Sequence, residues 1–172
     1  MTILITGGSK CGKSRFAESL MADYSGTKIY LATMQPFGKE AHKIIASHRK
    51  MRADKGFLTV ECQTQLHTIS LPPKAAVLLE DIGNLVANEM FGQEEITDCT
   101  ETVLRGIRHL QNVSPLLILV SNQVCSDGIT YGEGTAAYIR TIGNVNRQIA
   151  AQADQVYECV YGIPICLKGE SV

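Results

Sequence analysis

Near the start of the chain, Gly7-Gly8-Ser9-Lys10-Cys11-Gly12-Lys13-Ser14 fits the pattern G-x-x-x-x-G-K-[ST] of a phosphate-binding P-loop. Each residue type answers a chemical need. Gly7, Gly8 and Gly12 let the backbone bend so that successive N–H groups share one concavity. Lys13 is suited to the β- and γ-phosphates of a nucleoside triphosphate, and the Ser14 hydroxyl to Mg²⁺. A chance glycine turn before an ordinary helix is the bland alternative. The flanks argue against it: Ile3-Leu4-Ile5 reads as a strand before the loop, and Arg15 to Met21 has helical spacing after it.

Two further groups of residues carry candidate chemistry. Glu80 and Asp81 end the apolar run Ala75-Ala76-Val77-Leu78-Leu79, as a Walker B acid ends its strand. Phosphoryl transfer needs an acid near Mg²⁺, directly or through water; a solvated acidic turn is the alternative. The pleat decides which of the two acids points inward. In His48-Arg49-Lys50-Met51-Arg52, three cations lie within about one turn of a histidine. Nearby cations keep an imidazole neutral and can clamp phosphate. A partly buried helical histidine reads the same way by spacing alone. His42, His67 and His109 have no ligand spacing, and Ser121-Asn122-Gln123-Val124 is not the guanine-reading N-K-x-D signature.

The elements that must position these groups alternate. Helix is expected over 13–24, strand over 28–33, helix over 39–52 and a short strand over 57–61. A buried strand follows at 75–81, then helices over 83–91 and 94–111, a buried strand over 115–122 and a helix over 135–152. Two final β runs, 155–161 and 163–168, flank Gly162 as a hairpin. Residues 64–70 are ambiguous. This alternation predicts an α/β domain with a mostly parallel sheet, one P-loop nucleotide-binding domain spanning 1–172. In such sheets ligands sit beyond the carboxyl ends of the strands. The P-loop, Thr33, Glu80-Asp81 and Asn122 all fall at such ends, which points to a single site.

Composition narrows the class. The 172 residues are 45% hydrophobic and 19% charged, with formal net charge −1. That is a globular composition without the basic footprint of a nucleic-acid binder. No apolar run is long enough to span a membrane, and the first strand begins at once, so no signal peptide is expected. The six cysteines form no C-x-x-C pair, which predicts reduced thiols in a cytoplasmic protein.

Taken together, the ordered motifs resemble the bifunctional adenosylcobinamide kinase / adenosylcobinamide-phosphate guanylyltransferase family of cobalamin biosynthesis. They run from Ile3-Leu4-Ile5-Thr6-Gly7-Gly8 and Gly12-Lys13-Ser14-Arg15 through Tyr30-Leu31-Ala32-Thr33-Met34, His48 to Arg52 and Glu61. They continue with Val77-Leu78-Leu79-Glu80, Asn84 to Phe91, Val120-Ser121-Asn122, Ser126 to Ile129, Asn146-Arg147, Ala153-Asp154 and Tyr161-Gly162-Ile163-Pro164. The resemblance implies a RecA-type P-loop domain assembling as a homotrimer. It implies phosphorylation of the aminopropanol hydroxyl of adenosylcobinamide from ATP or GTP. It also implies transfer of GMP from GTP to that phosphate, releasing pyrophosphate, through a GMP–histidine intermediate at His48. The implied nucleotide contacts are Gly7, Gly8, Ser9, Lys10, Cys11, Gly12, Lys13, Ser14, Ala32, Thr33, Met34, Arg49, Lys50, Met51, Arg52, Glu61 and Glu80. Ser14 and Glu80 would hold Mg²⁺, Glu80 directly or through water.

The chain departs from the family's common pattern at Ser47, Gly83, Gln123 and Ala136. Those positions bear on the kinase step and on how the corrinoid is held. The alternatives left open are a guanylyltransferase alone, another small-molecule P-loop kinase with a structural His48, and a regulatory ATPase.

Overall fold

The computed structural model describes residues 1–35, 55–92, 95–124 and 128–170. In chain order these form β1 (Thr2–Gly7), α1 (Lys13–Ser19), β2 (Lys28–Ala32), β3 (Phe57–Glu61), a 3₁₀ turn (Leu66–Thr68), β4 (Ala76–Glu80) and α2 (Ile82–Phe91). Then come α3 (Thr100–Val113), β5 (Leu117–Val120), α4 (Glu133–Gln152), β6 (Gln155–Val160) and β7 (Ile163–Lys168). The helix expected over 39–52 lies outside the described residues.

One seven-stranded sheet runs in the order β3-β2-β4-β5-β1-β6-β7. All neighbours are parallel except β6 and β7. The expected α/β fold, with a mostly parallel central sheet and a C-terminal hairpin, is therefore borne out. The hairpin turns at Tyr161 (φ 49°) and Gly162 (φ 86°), two consecutive left-handed residues of the kind that match the twist of the flanking strands.

Strand periodicity divides the core in two, because alternate side chains face opposite sides of the sheet. Leu4, Leu31, Val77, Leu79, Leu117 and Leu119 pack under α2, α3 and α4. Ile5, Leu78, Ile118, Val120 and Tyr157 pack on the other face with Ala17 and Met21 from the α1 region. Both faces of the central strands are thus dry, which is why β4 and β5 are continuous apolar runs.

Two helix boundaries differ from expectation. α1 ends as an α-helix at Ser19, and turns carry the chain on to Asp23. α3 starts at Thr100 rather than near 94, because the Asp98 carboxylate accepts from the Thr100 N–H (2.9 Å) and hydroxyl (2.6 Å), a local arrangement that competes with helix. The ambiguous stretch 64–70 contains the 3₁₀ turn, with Gln65 left-handed before it.

Candidate active site

The P-loop joins the end of β1 to α1. Lys10 (φ 56°) and Gly12 (φ 99°) are both left-handed, and such interruptions turn successive N–H groups toward one concavity. Lys13 is buried, and its Nζ donates to the carbonyl oxygens of Gly7 (3.0 Å) and Gly8 (2.5 Å). The ammonium is therefore anchored within the loop itself. Gly7 permits close packing: a Cβ there would lie 2.5 Å from the Cys159 carbonyl and 2.8 Å from the Cys11 sulfur.

Sheet order brings the strand-end acids to this loop. β4 is separated from β1 by β5 alone. The Ser14 hydroxyl donates to Glu80 Oε1, and the Tyr30 hydroxyl donates to Glu80 Oε2 at 3.0 Å. Glu80 is thus the acid that meets the P-loop. Asp81 has a different task. Its Oδ1 accepts from the Asn84 N–H at 2.6 Å, capping α2. Its Oδ2 accepts from the side-chain amides of Asn84 and Asn122, each at 3.0 Å. Burial pushes the Asp81 carboxyl above its ordinary value; the hydrogen bonds from Asn84 and Asn122 and the charge of Lys13 oppose that rise.

Thr33 is fully buried, and its hydroxyl both accepts from the Asp81 N–H and donates to the Asp81 carbonyl, each at 2.8 Å. It clips the end of β2 to the β4–α2 turn. Ala32 pairs in register with Glu80 on one side and with Glu61 on the other, so Glu61 shares the rim at its exposed end. Met34 follows at the same end, half-buried. Ser9 and Lys10 are exposed, and Cys11 is half-buried. The P-loop, Thr33, Glu80-Asp81 and Asn122 thus meet at one rim. His48, Arg49, Lys50, Met51 and Arg52 lie outside the described residues.

The spacing arguments singled out neither Tyr30 nor Ser121 for a role. Tyr30 sits mid-strand and reads as core until β2 is set beside β4. Ser121 is fully buried just beyond β5, and its hydroxyl has no hydrogen-bond partner among the described residues. At the departure Gly83, a Cβ would lie 3.0 Å from the Tyr138 hydroxyl, which donates to the Gly83 carbonyl at 3.3 Å. The space a larger residue would fill is already used.

The donor set fits Mg²⁺. A hydroxyl and a carboxylate, Ser14 and Glu80, are hard oxygen ligands, and magnesium is typically held by one or two carboxylates together with substrate phosphates. Among the described residues no group of three or more His, Cys, Asp or Glu forms a dedicated metal cage. A groove of about 460 Å³ borders the outer side of the loop, lined by Lys10, Arg15, Phe16, Tyr161 and Pro164 among others. No described helix is long and apolar enough to cross a membrane.

Comparison with known proteins agrees over nearly the whole chain. Residues 3–167 match the family model described as cobinamide kinase / cobinamide phosphate guanyltransferase. The "bifunctional adenosylcobalamin biosynthesis protein CobU" of Salmonella typhimurium is 34% identical, over 98% of this chain and 100% of its own. The protein of that name from Escherichia coli is 33% identical over 98% of this chain and 100% of its own. The "bifunctional adenosylcobalamin biosynthesis protein CobP" of Pseudomonas aeruginosa is 30% identical over 99% of each. With a family model spanning both the P-loop and the strand-end acids, and relatives aligned from end to end, the chain belongs to the cobinamide kinase / cobinamide phosphate guanyltransferase family.

Proposed function

We propose that this protein performs both reactions its family is named for, as one P-loop domain acting on adenosylcobinamide in the cytoplasm. In the kinase step the aminopropanol hydroxyl oxygen attacks the γ-phosphorus of ATP or GTP. A new P–O bond forms, the bond to the β-phosphate oxygen breaks, and the hydroxyl proton is lost. In the second step an imidazole nitrogen of His48 attacks the α-phosphorus of GTP and pyrophosphate leaves. An oxygen of adenosylcobinamide phosphate then displaces the imidazole, giving adenosyl-GDP-cobinamide.

The observation that carries this reading is the contact of Ser14 with Glu80 across the sheet, next to a buried Lys13. It supplies a cation for the phosphate tail and a hydroxyl–carboxylate pair for magnesium at one point. Bound Mg²⁺ would add positive charge on the phosphate oxygens. Ser14 and Glu80 would hold it, and the P-loop N–H groups would orient the triphosphate. Gly7 to Ser14, Ala32 to Met34, Arg49 to Arg52, Glu61 and Glu80 form the proposed nucleotide contacts. A homotrimer is part of the proposal. On the edge strand β7, Ile163, Ile165 and Leu167 are exposed, beside a Tyr161 that is 95% exposed, and apolar surface of that kind on a sheet edge favours association.

The test uses GTP labelled at the α-phosphate, with product masses followed in the presence of adenosylcobinamide. Acid-labile label on the wild-type protein and its absence from His48→Asn are expected, with unchanged circular dichroism. Undiminished labelling of His48→Asn would remove His48 from the mechanism. Label on the protein without any phosphorylation of adenosylcobinamide would leave a guanylyltransferase alone.

A further inference from the structure

A second cavity, of about 630 Å³, opens beside the phosphate rim and is lined by Gln35, Asn84, Ala87, Asn88, Phe91 and Gly92. Its chemistry differs from that of the P-loop side. None of these six residues is charged: three are primary amides and one is an aromatic ring, with a small residue and a glycine between them. By contrast, the cavity beneath α1 is lined by Arg15, Lys28, Lys55 and Glu18. Among the described residues that line this cavity, a phosphate or nucleotide tail would find no counter-charge.

Two of the amides are held in fixed orientations. Asn84 donates from Nδ2 to Asp81 Oδ2 at 3.0 Å. Asn88 donates from Nδ2 to the carbonyls of Thr33 (2.7 Å) and Gln63 (3.0 Å). Both N–H groups of Asn88 are therefore committed to the protein, which leaves it a carbonyl acceptor, while Asn84 keeps its carbonyl and one N–H for a ligand. Gln35 is half-buried and lies three residues beyond the end of β2. Phe91 is 46% exposed, with the Tyr138 ring 6.4 Å away. Such an arrangement suits a neutral ligand that carries N–H donors and apolar surface together.

We infer that this cavity seats the periphery of the corrinoid acceptor, taking carboxamide side chains on Asn84, Asn88 and Gln35 and ring methyl groups on Phe91 and Ala87. The inference rests on the proposed function, because cobinamide is a polyamide whose ring edge alternates carboxamide arms with methyl groups. The cavity holds one sector of that edge, not the whole macrocycle. Its position fits the role. Asn84 shares the Asp81 carboxylate with Asn122, and the residue before Asp81 is the Glu80 that meets Ser14. An acceptor seated here lies against the rim where the phosphates are handled. It also approaches from the side opposite the α1 cavity.

The experiment compares wild type with Ala87→Leu, which fills the cavity, and Gln35→Ala, which removes one amide. Neither residue belongs to the P-loop, to its acids or to the proposed nucleotide contacts. Wild type must first convert adenosylcobinamide; if it does not, the proposed function fails and not this inference alone. Given conversion, the KM for adenosylcobinamide is expected to rise about tenfold in each variant. Labelling by α-labelled GTP without corrinoid should stay within twofold of wild type, which also reports that the variants fold. Replacing peripheral carboxamides of the substrate by carboxylates should weaken binding to wild type, and by a smaller factor to Gln35→Ala. Unchanged KM in both variants with intact labelling would overturn the inference, as would equal use of the amide and carboxylate forms by wild type.

Discussion

Replacing Glu80 by Gln separates the two tasks assigned to that side chain. Glu80 accepts from Ser14 on one oxygen and from Tyr30 at 3.0 Å on the other. Gln keeps the shape and one acceptor but loses the charge. Hydrogen bonds to charged groups contribute about 1.5–3 kcal/mol and neutral ones about 0.5–1.5 kcal/mol. The folded state should therefore lose only about 1 kcal/mol in urea unfolding. The effect on nucleotide is larger and depends on magnesium. Unit charges about 4 Å apart interact by about 4 kcal/mol at an effective dielectric near 20. Hydration returns part of this, leaving about 2–3 kcal/mol, or roughly 30- to 150-fold in affinity. Calorimetric titration with GTP should show that loss in excess Mg²⁺. In EDTA the sign reverses, because a carboxylate beside a bare triphosphate is repulsive, so Glu80→Gln should bind as well as wild type or better. An equal loss in both conditions, or a loss below threefold in Mg²⁺, would refute a magnesium role for Glu80 and leave it a strand-end cap for Ser14.

Other outcomes follow from the same geometry. Gly12→Ala forces a Cβ into a left-handed residue at φ 99°, 3.1 Å from Gly162 Cα, so it should cost about 2–3 kcal/mol in urea unfolding. Gly162→Ala, at φ 86° with open space around it, should cost about 1–2 kcal/mol; equal costs would mean that the loop–hairpin contact contributes nothing. The raised Asp81 carboxyl predicts a pH effect. Below the ordinary value of 3.8 the group is protonated in both folded and unfolded chains, and its relative stabilisation is complete. As pH rises from there through the folded value, the native state holds the proton longer, so stability falls. The unfolding free energy of wild type minus that of Asp81→Asn should decline over this window and then level; a flat difference would contradict the burial argument. Asn remains a good cap for α2, so α2 should keep its helicity in the variant.

Much of the phosphate end was legible in sequence because its signals are local. The glycines, Lys13 and Ser14 lie within one loop, and the apolar runs of β1, β4 and β5 announce strands with two dry faces. The start of α3 was misplaced because Asp98 acts through its own backbone neighbourhood, a competition that hydrophobic spacing does not register. What the chain order left open was partnership. Ser14 and Glu80 are 66 residues apart, and Tyr30 reaches Glu80 across 50. Only the order of strands β2, β4, β5 and β1 decides that Glu80 meets the loop while Asp81 caps a helix and gathers Asn84 and Asn122. The uncharged cavity is likewise a product of tertiary structure. Gln35 comes from beyond the end of β2 and the other five lining residues from α2 and the residue after it, and an amide in sequence gives no sign of which neighbour will claim its NH₂. Local residue type determined how phosphate can be gripped; strand order determined which acid serves that grip and what lies beside it, because side chains remote in sequence meet only where the sheet brings strand ends to one rim.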